Sequence, residues 1–304
     1  MVPAALLRAA SLLLCLSLSV AWAAPVVKIV TSTTDLQALT EAVGGNLVEI
    51  ACLVLPGEDA ESHEARPQDL QKLKNARLVV KVGVDFDLWF DQLLRQTGNR
   101  DLLRGGVGHV DASTGIALLD ARAMALTAHA GHAHGAGNPH YWLDPINAET
   151  ITGNIIEGLE RIDPANSATY RANRNAFLAR LRGKVGEWRQ RLERANATRL
   201  IAYHDSWAYF ARRFRLNIVD YIELKPGIPP SSAHLADLLR KMRDQKIVAV
   251  IKAPFENEQL PQMLATKTGA RVLNLAPSVG AVAQASDYLA LFEYNVGALA
   301  SLSP

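Results

Sequence analysis

Cysteine is nearly absent. The chain holds two, Cys15 and Cys52, and Cys15 lies in an apolar leader, so Cys52 stands alone in the remainder. A lone cysteine makes no intramolecular disulfide. Set in Val48-Glu49-Ile50-Ala51-Cys52-Leu53-Val54-Leu55, it reads as a small core residue rather than a nucleophile or ligand. Charge of one sign is also missing: the formal net charge is +2, and no Lys/Arg block gives support for nucleic-acid binding. After the leader no apolar run reaches the roughly 20 residues that a bilayer span takes. Neither His-Glu-x-x-His nor Gly-x-Ser-x-Gly occurs, which removes the usual sequence signs of a metalloprotease or a serine hydrolase.

What is present begins with the leader. Arg8 supplies a positive start, Leu12 to Val20 an apolar stretch, and Ala21-Trp22-Ala23 a small-x-small cleavage pattern. Residues 1–23 are therefore expected to be a signal peptide cleaved near Ala23, with the mature protein in the periplasm. Cys15 follows Leu14 inside the apolar stretch, so a lipid anchor through it is not expected. About 280 residues then remain, enough for two lobes with separate cores.

Short β-branched runs alternate with helical segments along the mature chain, and this pattern predicts parallel sheets. In the first half, strands are expected at Val26–Val30, Val48–Leu55 and Leu78–Gly83, with a helix capped by Thr31-Ser32-Thr33-Thr34 and running through Gln37 to Val43, a second helix over Leu70–Asn75, and a loop from Pro56 to about Pro67. A second series follows, with strands at Arg199–Tyr203, Asn217–Val219, Ile247–Ile251 and Arg271–Leu275. Helices lie between them, and a last helix runs from Asp287 to Leu302. Between the two series, Phe177, Leu181, Val185, Trp188 and Leu192 form one apolar stripe on an otherwise Arg-rich helix. Running from Pro164 to about Asn196 at ~1.5 Å per residue, this helix is roughly 45–50 Å long, more than one small domain is wide. The expectation is α/β: a first lobe over residues 24–162, a spine helix over 163–197 and a second lobe over 198–304, with a site in the cleft between the lobes.

Of eight histidines, three are singled out. His140 stands in Asn138-Pro139-His140-Tyr141-Trp142-Leu143-Asp144-Pro145. His204 stands in Tyr203-His204-Asp205-Ser206-Trp207, at the carboxyl end of a strand, where α/β sheets collect their ligands. His63, in Glu61-Ser62-His63-Glu64, follows a strand in the other lobe. Imidazoles with one or two carboxylates are a donor set for zinc, manganese or iron(II). Asp144 and Asp205 are candidate acceptors for a ligand N–H, and affinity is expected to fall below about pH 6, where free histidine protonates. His129, His132 and His134 lie in a Gly/Ala/His-rich stretch and form at most a weak feeder tract. His109 and His234 are read as structural.

These stretches, together with Lys225-Pro226-Gly227-Ile228-Pro229-Pro230-Ser231 and Pro277-Ser278-Val279-Gly280, resemble the zinc/manganese-binding solute-receptor family of ABC importers over essentially the whole mature chain. The resemblance implies two α/β lobes joined by a long helix, a metal ion as transported cargo (Zn2+ first, Mn2+ second), a membrane permease as partner, and no enzymatic activity. His140 and His204 match family ligand positions. At the first ligand the family carries Asp-Pro-His followed three residues later by Glu-x-x-Pro. Here Glu64-Ala65-Arg66-Pro67 aligns with that pattern, which places Glu61 at the histidine position and His63 two residues beyond. Either can coordinate, and the suitability of imidazole for zinc puts His63 slightly ahead. The family's carboxylate after the last strand is missing from Leu275-Ala276-Pro277-Ser278; Asp287, the nearest acid, is expected to cap the final helix. A monomer is expected. The competing readings are a periplasmic zinc-dependent hydrolase, a receptor for a small organic solute, and an adhesin using the same fold.

Overall fold

The computed structural model describes residues 26–119, 137–195, 199–224 and 227–302. The expected signal peptide and the tract holding His129, His132 and His134 lie outside the described residues.

Strand β1 (Val27–Thr31) leads into helix α1 (Thr34–Gly44), then β2 (Val48–Cys52), α2 (Pro67–Leu73), β3 (Leu78–Lys81), α3 (Leu88–Gln96) and β4 (His109–Asp111). Thr33 starts α1 by accepting the Leu36 N–H at 3.4 Å, and Pro67 opens α2 where no backbone donor is needed. The four strands form one parallel sheet in the order β2-β1-β3-β4. Its two faces carry separate apolar cores. Val30, Leu53, Val79 and Phe90 lie on one side, and Ile29, Leu39, Val80 and Ile155 belong to the large core shared with the spine.

Helices α4 (Ala148–Ile162) and α5 (Ser167–Ala195) follow, separated by a short 3-10 turn at Pro164–Asn166. The 29 residues of α5 span about 43 Å at ~1.5 Å per residue. Phe177, Leu181, Val185, Trp188 and Leu192 are all buried, as the stripe predicts. The helix packs on α1 and α4 along one part of its length.

The second half repeats the first. β5 (Arg199–Ala202), α6 (Ala208–Phe214), β6 (Asn217–Tyr221), α7 (Ser232–Asp244), β7 (Ala249–Lys252), α8 (Gln259–Thr268) and β8 (Arg271–Asn274) build a parallel sheet in the order β6-β5-β7-β8. The closing helix α9 (Tyr288–Ala300) returns to α5, where Phe292 stacks on Trp188 at 5.4 Å between ring centroids. Asp287 caps α9 by accepting the Leu289 and Ala290 N–H groups, both at 2.8 Å. No helix among the described residues is long and apolar enough to cross a membrane. The architecture is the expected α/β fold of two parallel-sheet lobes on a spine helix. Strand β4 and helices α3 and α4 add to the elements expected from sequence.

Side chains from both lobes close the space between the sheets. Trp142 Nε1 donates to the Pro277 carbonyl at 3.0 Å, Tyr288 Oη to the Trp142 carbonyl at 2.6 Å, and Tyr209 Oη to the Asn138 carbonyl at 2.8 Å. Arg213 grips the fully buried Asp144 through two parallel bonds of 2.7 and 2.8 Å. Asp144 is therefore committed to Arg213 rather than to a histidine.

Candidate metal centre

A cleft of about 430 Å³ opens between the lobes at the carboxyl ends of both sheets. Ligand sites in open α/β sheets collect there because the strand-end loops converge. Glu61 reaches it from the loop after β2, His140 from the turn before α4, and His204 from the end of β5. One donor atom from each lies within 4.8 Å of the other two.

Each donor is held by its own surroundings. In the Glu61 loop, Asp59 accepts the Glu61 N–H at 3.0 Å and the Ser62 hydroxyl at 2.8 Å. Trp89 Nε1 donates to the Ala60 carbonyl at 3.3 Å. The two Glu61 oxygens then face different rings, Oε1 at 3.6 Å from His140 Nε2 and Oε2 at 3.5 Å from His204 Nε2. His140 is buried. Its Nδ1 lies 3.2 Å from Asn138 Oδ1, which also accepts the His140 N–H at 2.9 Å. Asn138 Nδ2 in turn donates to the Asp205 carbonyl and carboxylate, both at 2.9 Å. Asp205 thus supports His140 through Asn138, a chain that joins the two lobes next to the site.

His204 lies between two carboxylates, with Nε2 toward Glu61 and Nδ1 3.4 Å from Glu223 Oε2. This arrangement orients the ring so that Nε2 faces the cleft. Burial alone lowers an imidazole pKa. Here the bond to Glu223 and the charges of Glu61 and Glu256 outweigh it and push His204 up to about 9. Glu256 is pushed up to about 7 by burial, against the pull of the Ala253 N–H, His204 and Lys252. Glu223 and Glu256 both line the cleft. Sequence reading passed over them, although both follow strands as His204 does.

His63 is not with the group. It turns under the loop, packs against Trp89 with the rings tilted by 49° and their centroids 4.4 Å apart, and places Nε2 3.3 Å from Asp69 Oδ2. The physical reason is a reversal at Ser62: with Asp59 binding both Ser62 and the Glu61 amide, Glu61 faces the cleft and His63 faces the first lobe's interior. Outside the site, His109 bonds the Leu102 carbonyl and His234 the Tyr221 carbonyl, at 2.9 and 2.8 Å. Both serve structure, as expected.

Two matching lobes, a long connecting helix packed on both and a cleft with imidazole and carboxylate groups from both sides define a two-lobed receptor for a divalent cation. The chain matches the family model described as zinc-uptake complex component A, periplasmic (ZnuA), over residues 29–302, and it belongs to that family. It is 24% identical over 281 residues to iron-binding protein YfeA of Yersinia pestis, across 90% of this chain and 85% of that protein. It is 24% identical over 279 residues to the high-affinity zinc uptake system protein ZnuA of Bacillus subtilis, across 89% and 86%. A crystal structure of ZnuA superposes with a TM-score of 0.75 at 27% identity, covering 90% of this chain and 99% of that one. Members of the family are extracytoplasmic metal-binding receptors that work with ABC importers, and they are not enzymes.

Proposed function

We propose that this protein captures a divalent transition metal, zinc first and manganese second, in its interlobe cleft and delivers it to the membrane permease of an ABC importer. The observation that carries this reading is the convergence of Glu61, His140 and His204, from both lobes, within 4.8 Å. Two imidazoles and a carboxylate suit zinc, iron(II) and manganese. The cargo enters by exchanging its water shell for these groups. Glu61 is the first ligand and His63 the anchor of its loop. The described lining residues include six acids, Asp35, Glu58, Asp59, Glu61, Glu223 and Glu256, and no Lys or Arg. Such a wall attracts a cation and disfavours the anionic groups of most small organic solutes.

The same reading assigns residues 1–23 to a leader removed near Ala23. It divides the mature chain into a lobe of residues 24–162, a linking helix of 163–197 and a lobe of 198–304, acting as a monomer. The test is calorimetric titration of the metal-free protein with Zn2+ and Mn2+. We expect one ion per chain, binding weakened at least about tenfold to 100-fold in Glu61→Ala, and affinity within about tenfold of wild type in His63→Ala. Failure of the wild-type protein to bind either metal would refute the reading.

A further inference from the structure

The three donors leave a four-coordinate zinc one short. The loop after β8, Leu275-Ala276-Pro277-Ser278, holds no acid, and its backbone is committed. Asn295 bonds both the N–H and the carbonyl of Ala276, at 2.7 and 2.8 Å, and Trp142 takes the Pro277 carbonyl at 3.0 Å.

We propose that the fourth donor is Glu256, from the loop after β7; this rests on the cargo role assigned above. In the second sheet, β5 lies between β6 and β7, so the loop that carries His204 is flanked by the loop of Glu223 on one side and that of Glu256 on the other. β8 lies one strand further out. A carboxylate after β7 therefore starts closer to His204 than any side chain after β8. Glu256 lines the cleft together with Glu61, His140 and His204.

Its tether is light. Oε2 accepts the Ala253 N–H at 2.6 Å within a tight turn, closed by the Glu256 N–H on the Ala253 carbonyl at 3.2 Å. Coordination exchanges that single side-chain bond for the ion. Glu223, the other carboxylate, has both oxygens engaged: Oε1 accepts the Gly227 N–H at 2.7 Å and Oε2 faces His204 Nδ1, the ring nitrogen turned away from the site. Glu223 is thus a positioning residue. The buried Lys252 is directed elsewhere, with Nζ 3.2 Å from Asn274 Oδ1 and 3.4 Å from Glu258 Oε2. Two imidazoles and two carboxylates give a donor set with as much oxygen as nitrogen, which balances a dication and accepts manganese as well as zinc.

The experiment titrates wild-type protein, Glu256→Gln and Glu223→Gln with Zn2+ and Co2+ against a chromophoric chelator, and records the visible Co2+ bands. Glu256→Gln is expected to weaken both ions by about tenfold or more and to shift the Co2+ bands, because the number or type of donors changes. Glu223→Gln weakens binding but leaves the bands in place. A Glu256→Gln protein with wild-type affinity and an unchanged Co2+ spectrum overturns the proposal. So does a band shift in Glu223→Gln alone. If metal-free Glu256→Gln melts below wild type, both titrations are run well below its melting midpoint and the Co2+ bands, which report the donors rather than stability, decide. A wild-type protein that binds neither ion overturns the cargo role itself, a result distinct from either failure of Glu256.

Discussion

Each nitrogen of His204 faces a carboxylate, Glu61 on one side and Glu223 on the other. In the metal-free protein this holds a proton on the ring up to about pH 9. The ion must displace that proton, so affinity should fall about tenfold per pH unit below about 9, well above the pH 6 expected for an ordinary imidazole. Titrating zinc at pH 8, where Glu256 is already largely ionised and His204 still holds its proton, in two buffers of different ionisation heat should reveal about one proton released from this site. A flat affinity between pH 7 and 9 would count against it. The same shift acts on stability with a definite sign. Because the folded value lies above the ordinary 6.5, the contribution is complete below pH 6.5 and is lost as pH rises through about 9. Sequence alone left Glu61 and His63 open because they lie two residues apart in a loop with no periodicity. The deciding contacts, Asp59 on Ser62 and Trp89 on His63, are tertiary or depend on the turn.

At the scale of elements, the His140 turn is fastened to α6 by Arg213 and Asp144. Asp144 is fully buried and takes two bonds from one guanidinium. Arg213→Ala would leave a buried carboxylate without its main partner, a loss of about 3–5 kcal/mol, read as a lower midpoint in chemical denaturation. Arg212, 3.6 Å from Asp144 and half exposed, compensates only in part. Within the spine, Trp188→Ala removes the stack on Phe292 and the bond to Glu293, for about 3–5 kcal/mol; a change under about 1 kcal/mol would mean that α9 repacks. The long helix α5 was legible because burial on one face imposes a period, and β1 and β3 because burial on both faces fills a short run with β-branched and other apolar residues. β4 was not, since His109–Asp111 is three residues long and polar at both ends. α4 had a readable apolar face, Ile151, Ile155, Ile156 and Leu159, but lies between a low-complexity stretch and the more conspicuous spine pattern. Glu223 and Glu256 share with His204 only a place just after a strand, which many residues of such a fold also have. Their relation to His204 exists only once β6 and β7 flank β5.

For the molecule as a whole, the lobes are joined by more than the spine. Asp35, in the first turn of α1, reaches across to accept the Val279 N–H of the second half at 3.0 Å, and its other oxygen has no hydrogen-bond partner among the described residues. Complete burial pushes this carboxyl up to about 7, with the Val279 bond only partly opposing it. A carboxyl raised on folding prefers its neutral form in the folded state. Its contribution to stability is complete below the ordinary 3.8 and declines as pH rises toward about 7. Glu256 acts in the same direction over a similar window, so the wild-type profile alone does not isolate Asp35. Asp35→Asn does: it keeps an oxygen for the Val279 N–H and removes the buried charge. At pH 8 the metal-free variant should be more stable than wild type by on the order of 1–3 kcal/mol, and at pH 4, where Asp35 is neutral in the folded protein, the gain should vanish. Thermal melts of both proteins across that range provide the check. Equal melting temperatures at pH 8 would show that Asp35 keeps its charge across the lobe junction, and the junction would then have to hold a partner for its second oxygen.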